Sequence, residues 1–117
     1  MGQYFKLVNT AKREVVSPWE IGGSAKFFEW IANDQARVLV WLLRQSTESG
    51  GGDVDPDHGY TTLGRWAGDP VTLVGDYDAS GLYQEADACT NISAALRREF
   101  NDYCAGCWAT KSKWNCR

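Results

Sequence analysis

Two short stretches, Gly64-Arg65-Trp66-Ala67-Gly68-Asp69 and Gly75-Asp76-Tyr77-Asp78, place a guanidinium, an indole, a phenol and several carboxylates around the apolar run Val71-Thr72-Leu73-Val74. These groups recognise a planar, hydroxyl-rich or phosphorylated ligand by stacking and bidentate hydrogen bonding. Arg65, Trp66, Asp69, Asp76 and Tyr77 are therefore the candidate ligand-binding residues. A structural role competes with this one: Trp66 in the core, Arg65 paired with a nearby aspartate, and the Gly-Asp pairs as turns. If residues 71–74 form a strand between two turns, Arg65, Trp66 and Asp69 lie near one end and Asp76 and Tyr77 at the other. Nearby carboxylates alone do not make acid-base machinery, because acidic side chains are so frequent here that accidental pairs are common.

The remaining chemistry-bearing residues argue against familiar enzyme classes. His58 is the single histidine and sits among Asp53, Asp55 and Asp57, with no Gly-x-Ser-x-Gly elbow anywhere in the chain. The alternating aspartates resemble a calcium loop, but the glycine falls one position late and Gly64 stands where a bidentate glutamate is needed. No phosphate-binding or dinucleotide-binding glycine motif is present. Cys89, Cys104, Cys107 and Cys116 include only one tight pair, so the spacing favours unlinked thiols, with zinc binding or two disulfides as the alternatives. No catalytic residue, metal ligand or cofactor is assigned on these grounds.

The elements that must position the candidates follow from periodicity and punctuation. Residues 3–9 and 14–17 read as two strands joined by a polar turn and stopped by Pro18. From Ser24, a plausible cap, Phe27, Phe28 and Ile31 recur at helical spacing and predict an inward face. Asn33-Asp34 can start a second helix, although the apolar run 38–43 fits a central strand equally well. Residues 61–66 and 71–74 read as strands, and 80–84 as a less certain third piece. Ile92, Leu96, Phe100 and Tyr103 mark one face of an amphipathic helix that Gly106 can end, opposite Arg97, Arg98, Asn101 and Asp102.

With 117 residues, six of them Trp, the chain can bury a sizeable core. We expect one α+β domain over residues 1–106: a small antiparallel sheet packed with two or three helices, and a mobile acidic loop at 46–60. Residues 107–117 form a basic tail carrying cysteine and Trp. The net charge of -3 is uneven, at +1 over residues 1–50, -7 over 51–90 and +3 over 91–117. The acidic middle repels phosphate backbones and disfavours nucleic acid as a main partner. No apolar run approaches the roughly 20 residues that span a bilayer, and the N-terminus lacks the blocks of a signal peptide, so a cytoplasmic protein without a membrane partner is expected.

Taken together, Met1-Gly2-Gln3-Tyr4, Val8-Asn9, Lys12-Arg13-Glu14, the 64–69 stretch and Gly75-Asp76-Tyr77 resemble a group of small uncharacterised proteins of bacteria, phages and some fungi. The similarity covers scattered blocks of residues 1–85 and excludes the cysteine-bearing tail. It implies a shared fold and a phage or mobile-element connection, but no established activity and no catalytic residues. The expected function is a non-catalytic binding or interaction protein acting on a host factor or small ligand. The alternative is a small hydrolase or transferase on a nucleotide-like or sugar-like substrate, with Asp69 or Asp76 as base and Arg65 holding an anion.

Overall fold

A computed structural model describes residues 3–45 and 59–113, excluding the side chains of 106–113. Its elements run β1 (Phe5–Asn9), β2 (Glu14–Val16), α1 (Pro18–Ile21), α2 (Phe27–Ala32), α3 (Asp34–Leu43), β3 (Val71–Gly75), α4 (Leu82–Glu85), β4 (Thr90–Asn91) and α5 (Ser93–Lys113), with a short 3-10 turn at Ala86–Ala88. The four strands lie in the order β3-β1-β2-β4. The β1/β2 hairpin and the β1/β3 pair are antiparallel, while β4 joins β2 in parallel. The fold is α+β with a small sheet.

Strand alternation divides the sheet into two faces. The register aligns Leu7 with both Val16 and Leu73, and that face packs into the main core with Trp30, Val38, Trp41, Leu42, Trp66 and Leu96. The opposite face presents Val8, Val15 and Val74 to Ala86, Leu82 and Tyr83. Lys6 leaves this second face to contact Asp87 at 2.9 Å and the Tyr83 ring at 4.1 Å from its centroid. Asn9 and Glu14 pair directly across the hairpin. They therefore set two polar, buried side chains on the main core face, beside the turn.

Of the two forms open to the apolar run 38–43, the chain takes the expected helix, within α3. Other expectations change once tertiary contacts are present. Residues 61–66 are a series of turns rather than a strand, because their backbone caps α3. Gly64 N–H donates to Trp41 C=O and Trp66 N–H to Leu42 C=O, each at 2.9 Å, satisfying carbonyls that a helix C-terminus leaves without partners. Residues 82–85 form α4. The cap of α2 is Lys26, two residues after Ser24, where the Glu29 carboxylate reaches back to Lys26 N–H at 3.0 Å.

The exposed and buried faces of α2 are the reverse of the periodic pattern. Trp30 is buried and donates its indole N–H to Phe5 C=O, while Phe27, Phe28 and Ile31 are 54%, 73% and 59% exposed. A six-residue helix presents one residue squarely to the sheet, and the largest ring takes that place. α5 places Leu96, Phe100 and Tyr103 against the core as expected. It continues through Gly106 to Lys113, since a glycine weakens a helix by about 1 kcal/mol without obliging it to stop. The greater part of the anticipated acidic loop, residues 46–58, lies outside the described residues, as do the side chains of Cys107 and Cys116.

Candidate functional site

The structure divides the five candidate residues between the two ends of β3. Six residues, five of them the strand β3, separate Asp69 from Asp76, roughly 20 Å at strand rise.

At the hairpin end, the turns after Tyr60 lay Arg65 and Trp66 over the polar corner formed by Asn9 and Glu14. Trp66 is fully buried and donates its indole N–H to Glu14 Oε1 at 2.7 Å. Arg65 Nε donates to both Glu14 oxygens at 3.0 and 2.9 Å, and its Nη2 donates to Oε2 at 2.5 Å. Asp69 Oδ2 accepts from Asn9 Nδ2 at 2.8 Å and from Lys12 Nζ at 2.6 Å. Asn9 Oδ1 in turn accepts from Lys12 N–H, which closes the hairpin turn.

The electrostatics match this bonding. Burial pushes the Glu14 carboxyl up, but hydrogen bonds from Arg65 and Trp66, with the charges of Arg65 and Lys12, outweigh it and hold the group below its ordinary value. The Glu14 carboxylate raises Arg65 further still. Lys12, and then Asn9, hold the half-buried Asp69 carboxyl down. The charged groups here already face one another, so the corner is a clasp between the hairpin and the 62–69 turns.

The other end is more open. Asp76 N–H donates to Tyr4 C=O at 2.9 Å, and Asp76 Oδ1 accepts from Tyr4 N–H at 3.1 Å. Tyr4 packs on Trp19 with ring centroids 6.1 Å apart, and Phe5 on Phe27 at 5.7 Å. Tyr77 is 64% exposed. It borders a shallow cleft of about 410 Å³ that runs along β3 with Phe5, Thr72, Asp78 and Ser80. Of the five candidates, Tyr77 alone lines this cleft.

Sequence reasoning missed Asn9, Lys12 and Glu14, the partners that explain Arg65, Trp66 and Asp69. The available signal was strand alternation, which puts Asn9 and Glu14 on the same face as Leu7 and Val16. It also missed Glu99. This buried carboxylate on α5 accepts from Thr61 Oγ1, Thr62 N–H and Thr62 Oγ1, while Thr62 Oγ1 accepts from the Trp41 indole. Burial raises the Glu99 carboxyl, and the bonds from Thr62 and Thr61 more than reverse the shift. Among the described residues, no three His, Cys, Asp or Glu side chains gather where they could hold a metal ion. No known protein family, curated protein or solved structure matches the chain.

Proposed function

We propose that this chain is a non-catalytic binding protein that holds a protein partner on the aromatic surface at the Tyr4/Asp76 end of the sheet. The observation that carries this assignment is the set of large apolar side chains exposed there. Tyr4, Trp19, Phe27, Phe28, Ile31 and Tyr77 are between 43% and 73% exposed, and ring contacts join Tyr4 to Trp19 and Phe27 to Phe5. Exposed apolar surface of this extent on a small domain marks a contact site, and aromatic side chains supply most of the energy in such contacts. Asp76 and Tyr77 form its rim. Arg65, Trp66 and Asp69 support the scaffold from the opposite end. The resemblance of the motifs adds the proposal that the partner is a host factor met in the cytosol by a phage or mobile-element accessory protein.

The hydrolase or transferase alternative requires Asp69, Asp76 and Arg65 to converge on one concavity. The two aspartates lie at opposite ends of β3 and the Arg65 guanidinium is bonded to Glu14, so no observation favours that alternative. The test is affinity capture from the cells that make the protein, comparing the wild type with Tyr77→Ala, Asp76→Ala and Phe28→Asp. The expected result is a specific partner retained by the wild type and lost or reduced at least tenfold in the variants, a loss in the range of an interface hot spot. Recovery of the same partners in the same amounts by all four folded proteins would remove this surface as the binding site.

A further inference from the structure

We infer that the groove between α1 and α5 is a site for a free nucleoside monophosphate. The groove encloses about 660 Å³ and is lined by Trp19, Glu20, Ala94, Arg97, Arg98 and Asn101. The four α5 residues stand at i, i+3, i+4 and i+7, so they form one helical face about 10 Å long. That face lies away from the core-packed Leu96 and Phe100. Ala94 keeps the floor low between the two long arginines. On the facing wall Trp19 is 60% exposed and is steadied by its tilted contact with Tyr4. Glu20 is held in place by a 2.8 Å bond from Asn91 Nδ2.

The chemistry of the lining selects the ligand. Neither Arg97 nor Arg98 has an ion pair or hydrogen-bond partner among the described residues. Two unengaged guanidinium forks on one helical face suit the three oxygens of a phosphate monoester. An exposed indole suits a base, which stacks on it through its π-face. Glu20 repels the phosphate toward α5 and can accept from an amino or hydroxyl group of the base or ribose, so the ligand has one orientation. A polynucleotide fits less well, because Glu20 opposes the neighbouring phosphates of a strand. The groove shares Trp19 with the aromatic surface proposed above but lies apart from its Asp76/Tyr77 rim.

Equilibrium dialysis of the full chain against AMP, adenosine, inorganic phosphate and a short oligodeoxyadenylate tests the assignment. Saturable AMP binding is expected, at least about tenfold tighter than adenosine or phosphate alone, since each lacks one of the two contacts. Trp19→Ala should weaken AMP by about tenfold while Trp19→Phe retains most of the affinity. Arg97→Glu with Arg98→Glu should abolish binding without unfolding, both side chains being exposed. Tyr77→Ala should bind AMP normally, which separates this site from the rim of the partner surface. The inference is overturned by absence of saturable AMP binding at millimolar concentration, or by phosphate alone binding equally well. An oligonucleotide binding more tightly than AMP, or AMP affinity unchanged in the folded Trp19 and Arg97/Arg98 variants, overturns it as well.

Discussion

Glu14 joins two parts of the molecule that are far apart in sequence. Its carboxylate is 6% exposed and receives Arg65 and Trp66 across more than fifty residues of chain. Removing the charge weakens the bonds to the buried Trp66 indole and to the half-exposed Arg65 guanidinium, so Glu14→Gln should cost about 1–2 kcal/mol at pH 7 in urea or thermal unfolding. The pH dependence has a definite sign. The folded carboxyl is more acidic than the ordinary 4.5, so its stabilisation is complete above that value and is lost as pH falls through the lower folded one. The gap between wild type and Glu14→Gln should therefore narrow below about pH 4; a gap that stays constant down to pH 3 would show that the charge is not what stabilises the clasp. Arg65 and Trp66 stand out in the sequence as unusual neighbours. Their partner does not, because nothing local links residue 14 to residue 65.

At the scale of elements, the turns from 62 to 69 decide the architecture of the hairpin end. Gly64 has φ +69, and a Cβ there would stand 2.6 Å from the Arg44 carbonyl oxygen, whereas Gly68 at φ +80 faces open space. Both alanine substitutions bear the strain of the left-handed region, and only Gly64→Ala also pushes into backbone. We expect about 1 kcal/mol for Gly68→Ala and about 2–3 kcal/mol for Gly64→Ala by chemical denaturation. Equal costs would show that the turn can move away from α3. The β1/β2 hairpin, β3 and the core face of α5 were legible because each carries its own period and its own punctuation. The 61–66 segment was not legible, since its residue types suit a strand while its hydrogen bonds go to the end of a helix.

On the scale of the whole molecule, the main question is which apolar residues the core takes and which it leaves outside. No helix among the described residues is long and apolar enough to cross a membrane, and the rings of Tyr4, Trp19, Phe27 and Phe28 are left exposed. Phe28→Asp and Ile31→Lys should leave stability within about 0.5 kcal/mol of wild type, because neither side chain is buried. The same variants should reduce any concentration-dependent self-association measured by light scattering. A loss of several kcal/mol would mean that α2 packs inward on those residues. Trp66→Ala provides the contrast: full burial and the bond to Glu14 predict a cost of about 3–5 kcal/mol in the same unfolding measurement.

Local order alone determined a good deal of this protein: an α+β composition, a hairpin at the N-terminus, an amphipathic α5, and an Arg-Trp-Asp cluster between glycine turns. Hydrophobic period, β-branching and turn chemistry act over a few residues and can be read from neighbours. Tertiary structure decided the rest. It chose helix for residues 38–43, turned Trp30 inward and Phe28 outward, made β4 parallel to β2, and assigned Arg65 to Glu14 and Asp69 to Lys12 and Asn9. Each of these outcomes depends on which distant surface a segment meets. A buried carboxylate needs its cation and a helix end needs its donors, whichever part of the chain supplies them.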